Sequence, residues 1–164
     1  PGPHGIRRDR MTAAFRLVKK RYAREAFDGE GARLFGGRWN HRGTGVVYLS
    51  GSLSLAALEQ FIHLGREGLS LSFVYFEILI PDGVSLSKIN PGDLPGDWRS
   101  EPPSHTTMDI GTGWIRSGGS VLLQVPSAVI PVECNYLLNT AHPDMKLVKI
   151  GRSVPFAFDP RMWK

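Results

Sequence analysis

The segment "LSFVYFEILIP" at residues 71–81 constrains the fold more than any other part of the chain. It is rich in β-branched and aromatic residues, apolar on both faces apart from Ser72 and Glu77, and closed by Pro81. Such side chains lose rotamer freedom in a helix and suit a pleated surface, so the run predicts a strand. "AFRLVKK" (14–20), "GVVYLS" (45–50) and "KLVKIG" (146–151) also read as strands, the first from its short alternation. "SVLLQVPSAVIP" (120–131) reads as a buried strand broken at Pro126 and resumed to Pro131. Against these stands one dominant helix, "SGSLSLAALEQFIHLGRE" (50–67), with Ser52 or Ser54 to cap it and Gly65 or Gly68 to end it. "REAFDGEGARLFGGRW" carries glycines at 29, 31, 36 and 37 and predicts an ordered loop in place of a helix. Residues 82–118, rich in Gly, Pro, Ser and Asp, predict turns with at most one short helix. Strands with a single main helix, and no regular βαβ alternation, make an α+β pattern.

A chain of 164 residues is long enough for one substantial core. "PGPHG" looks like a cloning scar, so 1–11 are read as tag remnant and basic tail, and 12–164 as a single domain. No apolar run approaches the roughly 20 residues of a bilayer-spanning helix, so no membrane role is expected. The basic N-terminus lacks a signal-peptide core, and Cys134 has no second cysteine to pair with, which fits a cytoplasmic setting. A net charge of +5 favours an anionic partner: nucleotide, nucleic acid or acidic protein. Basic residues crowd the front, at Arg7, Arg8, Arg10, Arg16, Lys19, Lys20, Arg21 and Arg24, as a binding surface or a solvated edge.

Familiar phosphate motifs are missing. No stretch has the spacing of a Walker loop, and "GEGARL" and "GTGVVY" each lack the third glycine of a Rossmann fingerprint. His4, His41, His63, His105 and His142 are scattered without a diagnostic metal spacing, so no metal is expected. Ser127 in "VPSAV" lacks the glycines of a nucleophile elbow. Glu59 is more informative. On a helix whose apolar stripe runs through Leu55, Leu58 and Ile62, Glu59 lies at the stripe's edge. A carboxylate there must reach solvent, pair with a cation, or serve a cleft. "LFGGRWNHRGTGVVYLS" (34–50) is open to three readings: phosphate cradle, nucleic-acid contact or decorated hairpin.

Taken in order, "LFGGRWN", "VVYLSGSLSLAALEQFIH" and "VPSAVIPVECNYLLNTAHP" resemble the RES family, named for an arginine, a glutamate and a serine. The resemblance runs from "FRLV" at Phe15 to the closing "FDPRMW", and its naming residues fall on Arg38, Glu59 and Ser127. Tyr48, Arg16 in "FRLV" and Asn135 in "NYLLN" match further family positions. Residues 82–118 align least. The resemblance implies an ADP-ribosyltransferase-like fold, a mixed α/β body with a split β core around an NAD cleft. It implies a bacterial toxin that consumes NAD as substrate, with an Xre-type antitoxin as partner and DNA reached only through that antitoxin.

The residues suit that chemistry. A guanidinium pairs with phosphate oxygens, which fits Arg38, with Arg16 as a second contact and the glycines giving backbone access. Nicotinamide leaves neutral and needs no acid, so one carboxylate suffices where ordinary glycosidases use two. Glu59 would hold the ribose and stabilise charge at the anomeric carbon, with Tyr48 stacking, and Ser127 and Asn135 binding substrate. Water, inorganic phosphate or a protein side chain as acceptor gives a glycohydrolase, a phosphorylase or an ADP-ribosyltransferase; these residues do not choose among them. An alternative of another class is a basic nucleic-acid-binding module using Arg38, Trp39, Arg42 and the N-terminal cluster.

Overall fold

A computed structural model describes residues 11–164. Of the expected tag remnant and basic tail at 1–11, residues 1–10, with His4, Arg7, Arg8 and Arg10, lie outside the described residues, whereas Met11 opens the first strand. The strands are β1 (Met11–Lys19), β2 (Val47–Ser50), β3 (Phe73–Pro81), β4 (Leu86–Lys88), β5 (Leu122–Pro126), β6 (Cys134–Leu138), β7 (Lys149–Ile150) and β8 (Val154–Phe156). The α-helices are α1 (Glu30–Phe35), α2 (Leu53–Phe61) and α3 (His105–Ser117). The strands form one sheet in the order β4-β5-β6-β2-β1-β3-β7, with β8 also on β3. Among the described residues only β4 and β5 run parallel; the other pairs are antiparallel. The expected α+β class is what the chain adopts.

β3 organises the sheet, as its composition predicts. It pairs with β1 from Lys19–Phe73 to Met11–Pro81. Val74, Phe76, Ile78 and Ile80 point to one face and pack with Ala14, Val18, Val47, Leu49, Leu122 and Leu138 in the main core. On the other face, Phe73 and Tyr75 meet Phe156, Phe158 and Trp163. Covering a strand on both faces demands apolar residues at consecutive positions, which explains the uninterrupted run.

The sheet is split where β1 meets β2. The two share only the pair Phe15–Ser50, whereas β2 stays in register with β6 from Val47–Leu138 to Ser50–Asn135. One half is therefore β4-β5-β6-β2 and the other β1-β3 with β7 and β8. Strands that splay apart leave backbone groups without ladder partners, so side chains must reach in to satisfy them. The candidate site lies at that division.

Several local expectations need correction. α2 is shorter than 50–67: Ser52 caps it by accepting from Leu55 N at 3.1 Å, and it stops at Phe61, before either glycine. Its buried face is Leu55 and Ala56, while Leu58 and Ile62 are 36% and 56% exposed, so the proposed stripe was wrong on one side. The stretch expected as loop begins on the end of a 3-10 segment, Lys20–Glu25, and holds the short α1, entered and left by Gly29 and Gly36 at φ 73° and 71°. The strand does not resume after Pro126; residues 127–131 turn instead, and the chain returns as β6. Residues 82–118 contain β4 and the longest helix, α3, capped by Ser104. No helix among the described residues is long and apolar enough to cross a membrane.

Candidate active site

The "GGRWN" stretch is a tight turn. Gly37 N donates to Asn40 O at 3.0 Å, and Asn40 N donates back to Gly37 O at 3.4 Å. Arg38 and Trp39 occupy the two corners and point apart. Trp39 is only 2% exposed and packs beside Trp98 and Trp114. α3 presses on it so closely that a Cβ on Gly111 would lie 1.8 Å from Trp39 O. Asn40, wholly buried, ties the turn down: Nδ2 donates to Ala32 O (2.8 Å) and Thr44 O (3.0 Å), and Oδ1 accepts from Tyr48 Oη at 2.6 Å. Tyr48 Oη also accepts from Trp39 N, at 3.1 Å. Gly37 is required beneath that hydroxyl, because a Cβ there would sit 2.6 Å from it. Burial pushes the Tyr48 phenol well above its ordinary pKa, and the donating Trp39 amide and the charge of Arg38 only partly oppose this.

Arg38 faces the neighbouring segment of the 82–118 stretch. Its Nη1 donates to Trp98 O (3.0 Å) and Ser100 O (2.9 Å), and its Nη2 lies 3.3 Å from Glu101 Oε2. Across the way, α2 presents Glu59, half-buried. Ser127 Oγ and Asn135 Nδ2 both donate to Glu59 Oε1, each at 2.7 Å. Glu59 Oε2 takes no hydrogen bond from the described residues. Ser127 is wholly buried, and its Oγ also accepts from Val129 N (3.1 Å) and Ile130 N (3.0 Å). The hydroxyl's one hydrogen thus goes to the carboxylate. Asn135 Oδ1 is buried and has no partner among the described residues.

Arg16 fills the split between the half-sheets. From β1 its Nη1 donates to Tyr48 O at 2.9 Å and its Nε to Ala26 O. Tyr48 O, on β2, is a carbonyl that a longer β1–β2 ladder would have paired. Loss of water lowers the Arg16 pKa to about 10 despite the opposing pull of Asp28, a direction that measures how deeply the cation is enclosed.

Arg16, Arg38, Tyr48 and Glu59 all line one cleft of about 790 Å³. That lies within the usual range for small-molecule sites. Asn135 meets Glu59, Arg16 and Tyr48 in an adjoining recess of about 150 Å³. Ser127 stands behind Glu59 and lines neither. Sequence reasoning missed Asn40, Arg99 and Glu101. Asn40 was detectable as a turn residue after two glycines, whereas the other two lie in the stretch with least pattern. The nucleic-acid reading loses its stacking residue, since Trp39 is in the core. Lys20, Arg21 and Arg24 are exposed on the 3-10 segment after β1.

Residues 13–159 match the RES domain family. A protein named "Toxin Res" from Yersinia enterocolitica is 42% identical over 149 residues, 90% of this chain and 97% of that one. The "Prs ADP-ribosylating toxin" of Sphingobium sp. is 40% identical over 157 residues, 93% of this chain and 98% of its own length. In structure, the chain is similar to a chain of the M. tuberculosis MbcT–MbcA toxin–antitoxin complex, with a TM-score of 0.74 over 94% of this chain and 88% of that one. At 18% identity that last likeness speaks for the fold. The match spans nearly all the described residues, and the chain belongs to the RES domain family.

Proposed function

We propose that this protein is the toxin of a toxin–antitoxin pair and that it consumes NAD by cleaving the nicotinamide–ribose bond. The observation that carries this reading is the carboxylate of Glu59, fixed through Oε1 by Ser127 and Asn135, on a cleft it shares with Arg38. Two donors on one oxygen hold the carboxylate plane and leave Oε2 free. In the proposed complex, Oε2 faces the ribose. The C–N bond breaks with its electron pair going to the nicotinamide nitrogen, which departs neutral. Positive charge then develops at the anomeric carbon, and a preorganised carboxylate stabilises it. Arg38 meets the diphosphate by giving up its weakest contact, the exposed one to Glu101. Tyr48 walls the site, and Asn135 Oδ1 supplies an acceptor for a substrate hydroxyl.

Water or inorganic phosphate as acceptor completes a glycohydrolase or phosphorylase reaction. Transfer of ADP-ribose to a protein side chain is the second reading, favoured by the 40% identity to a protein named as an ADP-ribosylating toxin. An Xre-type antitoxin is the proposed partner and the cytoplasm the proposed compartment, with DNA reached only through that antitoxin. We further propose that residues 12–164 act as one domain. Mass spectrometry of NAD products, with and without phosphate, tests the reaction. Wild type is expected to release nicotinamide, and Glu59→Gln to lose on the order of a hundredfold or more in rate. Equal turnover by both proteins would remove Glu59 from the chemistry.

A further inference from the structure

We infer that Arg99 is a second diphosphate-binding cation of the cleft, and that Arg38 serves in large part as the post on which Arg99 is mounted. The inference rests on the dinucleotide reading above and adds a residue outside the sequence motifs. Its starting point is how heavily Arg38 is engaged. Every hydrogen bond it makes among the described residues goes to residues 98–101: two carbonyls and one carboxylate. Its side chain is only 17% exposed. A guanidinium so enclosed has few N–H groups left for a ligand with two phosphates.

Arg99 lies between the two carbonyls that Arg38 holds, so that grip sets where its backbone runs. Its side chain then crosses to the opposite wall, where Nε donates to Ala128 O at 3.0 Å. Ala128 directly follows Ser127, whose hydroxyl holds Glu59, and Arg99, Ala128, Arg38 and Glu59 line the same cleft. The bond through Nε fixes the plane of the guanidinium. Nη1 and Nη2 make no hydrogen bond among the described residues, which leaves the end-on pair of donors that matches two phosphate oxygens. Arg99 is exposed, so holding that charge costs little desolvation before a ligand arrives. Glu101, 76% exposed on the same segment, is the anion that a phosphate would replace.

The test compares a ligand that has the diphosphate with one that lacks it. ADP-ribose and adenosine are titrated by calorimetry into wild type, Arg99→Gln and Arg99→Lys, each first matched to wild type by circular dichroism and thermal melting. Arg99→Gln is expected to weaken ADP-ribose binding by roughly 10- to 100-fold, as for loss of a charge-assisted pair, and to leave adenosine unchanged. Arg99→Lys, with charge but no fork, is expected to fall between. In NAD turnover the same variants raise KM and leave kcat within about threefold, because binding made equally in ground and transition states is lost. Unchanged ADP-ribose affinity in Arg99→Gln overturns the assignment while leaving the dinucleotide reading intact. Equal weakening of adenosine and ADP-ribose also overturns it, since that is the signature of a residue that only anchors its loop. Failure of wild type to bind ADP-ribose at all removes both proposals together.

Discussion

Replacing Ser127 by alanine separates two things the hydroxyl does. Ser127 Oγ donates to Glu59 Oε1 and accepts from the amides of Val129 and Ile130, and it has no access to water. A hydrogen bond to a charged group contributes about 1.5–3 kcal/mol, and an amide left without its acceptor costs about 1–3 kcal/mol. Val129 and Ile130 are half-buried, so solvent can recover part of the second loss. The net expectation is a destabilisation of about 2–4 kcal/mol. At about 2–4 °C per kcal/mol for a domain of this size, Tm falls by about 5–15 °C. Asn135→Ala is the matched perturbation. It removes the other donor to Oε1, but it also removes Oδ1, an acceptor buried without a partner. Those effects oppose each other, so stability should change by no more than about 1.5 kcal/mol. Both variants loosen the carboxylate, and a misplaced catalytic group costs on the order of 10- to 100-fold in kcat. Thermal melts followed by circular dichroism, with NAD turnover measured well below the lower Tm, give the two readouts. If Ser127→Ala folds and keeps kcat within twofold, or if Asn135→Ala melts as low as Ser127→Ala, the positioning argument is wrong.

Gly111→Ala should be among the most damaging small substitutions, because its Cβ would lie 1.8 Å from Trp39 O and α3 would have to move away from the Arg38 turn. A loss of about 3 kcal/mol is expected by chemical denaturation, together with reduced NAD turnover. Gly113→Ala, whose Cβ would meet nothing within 4 Å on the same helix, serves as the control and should stabilise by about 0.5–1 kcal/mol. Tyr48 sets an alkaline limit. Its folded pKa is raised above the unfolded value near 10, so its stabilising share is complete below that pH and is lost as pH rises through the folded value. Unfolding free energy measured against pH should therefore decline above about pH 10 in wild type and decline less in Tyr48→Phe. An identical decline in both would remove Tyr48 as its source.

The residues that bind to their own neighbours were legible in the sequence. The β3 run announced a strand, and its apolar side chains at successive positions are what covering both faces requires. The serines at 52 and 54 announced the start of α2, because a hydroxyl before a Leu- and Ala-rich stretch satisfies a first-turn amide, and Ser52 is the one that does so. α3 was not legible. Its sequence, "HTTMDIGTGWIRS", has two glycines and three threonines and weak helix propensity, and it is held by Trp114 in the core and by Gly111 against Trp39. Those contacts join residues about seventy positions apart, and no local pattern records them.

The same division runs through the site. Motif order alone singled out Arg38, Glu59 and Ser127, since a family resemblance needs only residue identity and sequence order. Only the tertiary structure decided what each one touches. It set the Ser127 hydroxyl on the Glu59 carboxylate, engaged Arg38 with residues 98–101, and set Arg16 into the split between two half-sheets. The reason is that hydrogen-bond donors are assigned to whichever acceptors folding leaves unpaired nearby, and that choice is made in space between segments distant in sequence.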